Sequence, residues 1–132
     1  MQGETNLDSV LKEMRVYCDD KKYGFGCSAN RPSVESEGII GLFKEKEGIT
    51  VIGILEELNR INLTAVEGPY AKITIEVHTS LELVGLTALL SERLKVKKVP
   101  ANVVAGFYHD HIFVPYGLKD LAMKALMDLS NE

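Results

Sequence analysis

Tryptophan is absent from this 132-residue chain, cysteine occurs twice and proline four times. Two cysteines cannot build a disulfide framework, and the spacing of Cys18 and Cys27 fits neither a zinc motif nor a Cys-x-x-Cys redox pair. The expectation is therefore two buried free thiols in a reducing compartment. No apolar run approaches the ~20 residues that a membrane span needs. The opening Met1-Gln2-Gly3-Glu4 has neither the basic nor the apolar segment of a secretory signal. A soluble, cytoplasmic protein with no membrane partner is expected. Positive charge is also short: 15 Lys and Arg stand against 19 Asp and Glu, a net of −4. Nucleic-acid binding needs clustered cations to neutralise phosphates, so that class is set aside. The one dense basic patch, Lys95, Lys97 and Lys98, sits where it would complement the C-terminus of a helix.

What the chain does have is globular patterning. Hydrophobic residues make up 45%, enough for a core without staples in one compact domain or two joined half-size units. Leu7, Val10, Leu11 and Met14 recur at helical spacing, with Thr5 or Asn6 placed to cap the start. Tyr23 to Ser28 reads as a short strand, and Gly24 and Gly26 within it suggest close backbone approach or a bulge. Gly24-Phe25-Gly26 lacks the third glycine and following helix of a dinucleotide fingerprint. Ile39–Phe43 and Ile49–Ile54, joined by Lys44-Glu45-Lys46-Glu47-Gly48, form a hairpin pattern. Leu55, Leu58 and Ile61 predict about two helical turns. Glu67-Gly68-Pro69 is the clearest punctuation, which divides the chain into 1–67 and 68–132.

The second half is patterned more sharply. Lys72 to His78 alternates, with Ile73, Ile75 and Val77 on one face and Lys72, Thr74, Glu76 and His78 on the other. Leu83, Leu86, Leu90 and Leu94 stripe a helix that Thr79 or Ser80 can cap and Pro100 stops. A hairpin from Ala101 to Pro115 follows, with His109-Asp110-His111 at its tip and Phe107 opposite Ile112. Leu118, Leu121, Ala122, Ala125, Leu126 and Leu129 mark the closing amphipathic helix. The order β-α-β-β-α lacks only a final strand of the ferredoxin-like βαββαβ plan, and the first half is able to lend it.

Three blocks carry a resemblance: Ser80-Leu-Glu-Leu-Val-Gly-Leu-Thr87, Ala101-Asn-Val-Val-Ala-Gly106, and His109-Asp-His-Ile-Phe-Val-Pro115. Together with Gly3-Glu4-Thr5 and Glu47-Gly48-Ile49-Thr50, they resemble the family of small tandem ACT-domain-like proteins. The strand Lys22–Cys27 departs from that pattern, carrying glycines where the family has bulkier residues. The resemblance implies an α+β fold of tandem ferredoxin-like modules, antiparallel sheets with helices on one face. It also implies a non-catalytic regulatory or sensor protein, a homodimer, that binds a small molecule, an amino acid, with no cofactor. The family's ligand position corresponds here to His78, Thr79, Ser80, Leu83, Val84 and Gly85, with Asn102, Val103, Val104 and Ala105 opposite.

The residues themselves make that position reasonable. A helix start offers free N–H groups and a positive dipole end to a carboxylate, Gly85 admits close approach, and Asn102 can both donate and accept. The same residues also suit plain structural duties: a cap, a packing glycine and a loop amide. His109 and His111 raise the alternative of a metal site, yet zinc needs three or four convergent ligands. A His–Asp pair here lacks a nucleophile at a recognisable elbow, so no enzymatic activity is expected. The remaining alternative is a structural module whose partner adds a strand to an open sheet edge.

Overall fold

The computed structural model describes residues 11–30, 37–77 and 83–130. The chain forms two compact units, one made of Met1–Asp19 with Lys72–Glu132 and the other of Asp20–Ala71. We call them the split unit and the inserted unit. The division expected at 67/68 falls inside a strand, β5 (Ala65–Glu76), which begins in the inserted unit and ends in the split one. Gly68 and Pro69 punctuate this strand without ending it.

In the inserted unit, β2 (Tyr23–Ser28), β3 (Ile39–Lys44), β4 (Ile49–Ile54) and the first part of β5 lie in the order β3-β4-β2-β5. The β3–β4 hairpin is as expected, with Phe43 opposite Thr50 and its turn closed between Glu45 and Gly48. The helix after it is shorter than two turns: α1 covers only Leu55–Leu58 before the chain breaks at Asn59. Gly24 behaves as its sequence context suggested. The β2–β5 register shifts between Tyr23 and Phe25, and a Cβ on Gly24 would lie 2.9 Å from the Glu67 carbonyl oxygen.

The split unit has the sheet order β1-β5-β7-β6, from β1 (Arg15–Cys18), the end of β5, β6 (Asn102–Ala105) and β7 (Asp110–Pro115). The order of β5, α2 (Leu83–Val96), β6, β7 and α3 (Lys119–Ser130) is the expected β-α-β-β-α. Its missing fourth strand is β1, which pairs antiparallel with β5 from Arg15↔Glu76 to Cys18↔Ile73. The sequence reading did not mark Arg15–Cys18 as a strand, because four residues between a helical pattern and a charged turn give too short an alternation. Of the first predicted helix, only Leu11–Glu13 falls among the described residues, and it is helical.

The core of the split unit lies between its sheet and its helices. Ile73, Ile75, Ile112 and Val114 from the strands are buried, as are Leu86, Leu90 and Leu94 of α2 and Ala122, Ala125, Leu126 and Leu129 of α3. Leu121, placed on the same stripe by spacing, is 41% exposed and sits at its margin. The hairpin register also differs from expectation. Val103 pairs with Ile112 and Ala105 with Asp110, so the turn spans residues 106–109 and Phe107 faces solvent. His109 closes this turn, accepting the Gly106 N–H at 2.9 Å, while Asp110 and His111 belong to β7. Glycine followed by aromatics turns the chain earlier than the Asp-centred tip predicted from composition. The thiols are not both buried either: Cys18 is half-buried and Cys27 exposed.

Candidate functional site

The expected ligand position lies where β5 hands over to α2. His78, Thr79 and Ser80 fall outside the described residues. Leu83 and Val84 open α2, and Gly85 is exposed in its first turn. Opposite in the expectation stand Asn102, Val103, Val104 and Ala105, and all four lie in β6 at the edge of the split unit's sheet. The pairing sorts these four by face. Val103 shares the face of buried Ile112, whereas Asn102 and Val104 share that of Phe113 and His111. Val103 and Ala105 therefore lie on the face of Ile112 and Val114, and the Asn102 amide points to the other face.

That other face carries a polar network the sequence did not disclose. The Tyr17 hydroxyl of β1 donates to the Glu76 carboxylate, and His109 Nε2 stands 3.4 Å from the same carboxylate. His111 Nδ1 lies 3.0 Å from the Thr74 hydroxyl, and Lys72 Nζ lies 3.8 Å from Asp19. Thr74 is only 6% exposed, so alternation correctly assigned it away from Ile73 and Ile75 without making it a surface residue. The partners are 59 and 37 positions apart in the chain, and nothing local in the sequence pairs them.

The environment shifts four of the described groups, among them Lys119, raised first by its hydrogen bond to Tyr116. The hydrogen bond to Glu76 leads in raising the Tyr17 phenol pKa, with slight burial and the Glu76 charge adding to it. Burial, followed by the charges of Lys72 and His109, holds the His111 imidazole below its ordinary pKa, with Asp110 acting in the opposite sense. Burial raises the Cys18 thiol, which disfavours the reactive thiolate there. The two histidines engage different residues of β5, His109 with Glu76 and His111 with Thr74. Among the described residues no group of three or more His, Cys, Asp or Glu could hold a metal ion. No helix there is long and apolar enough to cross a membrane.

The inserted unit contributes two open cavities, one of about 200 Å³ bounded by Cys27, Ser28, Gly48, Thr50 and Thr64, the other of about 450 Å³ bounded by Asp20, Lys22, Ile54, Leu55 and Asn59. The first is smaller than the roughly 300–1,000 Å³ typical of small-molecule pockets, and the second falls within that range.

Two family models, each described as "ACT domain", match this chain, one over residues 2–67 and the other over residues 65–128. The chain belongs to the ACT-domain family. It is a small tandem-ACT protein, with the ferredoxin-like modules seen in both units. A Vibrio cholerae protein of unknown function, described as a possible transport protein, is 30% identical with a TM-score of 0.81, over 97% of this chain and 98% of that one. An Agobacterium tumefaciens protein is 13% identical with a TM-score of 0.74, over 89% of this chain and 90% of that one. The regulatory subunit of aspartate kinase from Thermus flavus shares the fold at 9% identity, with a TM-score of 0.62 over 86% of this chain and 95% of that one. No curated protein matches the sequence. The family models meet at residues 65–67, where β5 begins, whereas the compact units exchange β1 across that line.

Proposed function

We propose that this tandem-ACT protein is a non-catalytic, cytoplasmic regulatory or sensor protein whose ligand is an amino acid. The observation that carries the reading is the match of both halves to ACT-domain models, with a solved regulatory subunit among the similar folds. The proposed site is the stretch from His78 to Gly85 with the α2-facing side of β6. The first N–H groups of a 14-residue helix, which lack intrahelical partners, suit a ligand carboxylate, and exposed Gly85 leaves room for it. The exposed β6 edge adds backbone donors and acceptors for an amino group.

The test is a thermal-shift panel of the standard amino acids. A ligand at ~100 times its Kd stabilises by about 2.7 kcal/mol, a shift of several degrees. Gly85→Trp should remove the response while leaving the unliganded melting temperature nearly unchanged. Asn102→Ala should weaken it less, given where its side chain points. A flat panel in the wild type would sink the reading.

One observation favours a second reading, an interaction module. Edge strand β3 exposes Ile40, Leu42 and Phe43, the last at 69%. Strand addition there, by a partner or by a second copy in a homodimer, would cover apolar surface. Light scattering, together with a partner that co-purifies without any metabolite response, would favour it.

A further inference from the structure

The β6–β7 turn is tied to β5 by two imidazoles. The His109 ring reaches Glu76 at 3.4 Å, and the His111 ring reaches Thr74 at 3.0 Å. His111 also lies under the turn: a Cβ added to Gly106 would sit 3.6 Å from its Nε2. The turn presents Phe107 and Tyr108, 95% and 81% exposed, with their rings edge to face at 5.1 Å. Apart from the His109 and His111 contacts, the turn's own closure rests on the Gly106–His109 backbone bond.

We propose that the His111–Thr74 contact is an acid-sensitive latch, which at neutral pH seats the aromatic turn and at acid pH lets it move. The geometry gives the latch its sign. Neutral His111 is half-buried and satisfied by the Thr74 hydroxyl. A proton on it places a cation on a sheet face that already holds Lys72 from β5, with His109 beside it. Among the described residues of the split unit, the neighbouring charges are few. Asp110 is adjacent on β7, Asp19 is paired with Lys72, and Glu76 already engages Tyr17 and His109. Arg15, opposite Glu76, adds positive charge, while β6 contributes only Asn102 and Val104 to this face.

The folded-state pKa of His111 lies below the ordinary value, lowered first by burial. Its contribution is therefore complete above the ordinary imidazole value of ~6.5 and is lost as pH falls through the folded value. Acid thus loosens the His111–Thr74 anchor while the core between sheet and helices holds no titrating group among the described residues, so the turn moves and the module does not unfold.

Hydrogen exchange, corrected for the intrinsic pH dependence of amides, tests this on peptides covering residues 102–112, with residues 119–130 as the internal control. Between about pH 7.5 and about pH 5, hairpin protection should fall several-fold while the control holds. In His111→Asn, whose amide can still bond Thr74 but does not titrate, hairpin protection should be flat across the range. Equal acid loss in that variant, or no loss in the wild type, overturns the proposal. Should the variant fold poorly, an NMR titration of the wild-type His111 ring decides. A midpoint at or above the ordinary imidazole value overturns it, and one below supports it. Neither readout depends on the identity of any ligand.

Discussion

Gly53 and Gly117 are both glycines, and the structure gives them opposite tolerances. A Cβ on Gly53 would lie 2.6 Å from the Gly38 carbonyl oxygen and 3.1 Å from Ile39 Cα. Both obstacles are backbone, so no side chain can swing aside, and the β3–β4 pairing itself would have to shift. Gly53→Ala should cost about 1–3 kcal/mol, the range for forced overpacking. Gly117 has nothing within 4 Å of the same added atom. Gly117→Ala should stay within about 0.5 kcal/mol of the wild type. Denaturant melts of the two variants check the contrast, and equal losses would show that the close approach at Gly53 has no energetic weight. The same scale explains what the sequence could not disclose. Thr74 and Glu76 were placed on the correct face by alternation, but their partners His111, Tyr17 and His109 come from β7, β1 and the β6–β7 turn. Spacing reports which way a side chain points; it does not report what waits there.

Elements were legible where their signal is local. The β3–β4 hairpin, α2 and α3 follow from periodicity and turn residues alone; Leu86, Leu90 and Leu94 of α2 and Ala122, Ala125, Leu126 and Leu129 of α3 are buried as their stripes require, whereas Leu121 is not. That exception carries a prediction. Leu126 is fully buried, so Leu126→Ala should cost about 2–5 kcal/mol, whereas Leu121→Ala at the exposed margin should cost well under half as much. Melting temperatures of the two variants would test it, and comparable losses would mean that α3 is rotated from the packing described. The hairpin pairing was found four residues away from the expected one: Phe107 left the sheet for the turn, while Val103, Ile112 and Val114 kept their shared face. Shifting a hairpin's pairing by an even number of residues preserves which residues share a face, so patterning cannot distinguish the two registers. The candidate ligand position was legible only through its resemblance to ACT-domain proteins. Its residues on β6 divide between two faces, as strand alternation requires and as the sequence pattern indicated.

At the scale of the whole molecule, the chain passes from the split unit to the inserted one near residue 19 and returns near residue 72. Punctuation at Gly68-Pro69 suggested contiguous halves, and the two family models also meet just before it, whereas compactness groups β1 with the second half. The β1–β5 register makes this arrangement testable. Cys18 pairs with Ile73, and the next two residues, Asp19 and Lys72, form an ion contact at 3.8 Å. These are the ends of two antiparallel neighbours, the geometry that a two-residue Asn-Gly turn closes. A chain in which such a turn joins Asp19 directly to Lys72, omitting the inserted unit, retains all four strands of the split unit's sheet. It should melt cooperatively and give a dispersed NMR spectrum. Residues 68–132 alone keep α2 and α3 but lose β1, leaving an edge of β5 unpaired next to buried Ile73 and Ile75. That fragment should be poorly folded or aggregate, and a peptide spanning residues 11–20 should restore structure when added. The reverse outcome, with the contiguous fragment folding and the joined chain failing, would return the module boundary to residues 67/68. It would also make β1 an accessory strand and not the fourth strand of an ACT fold.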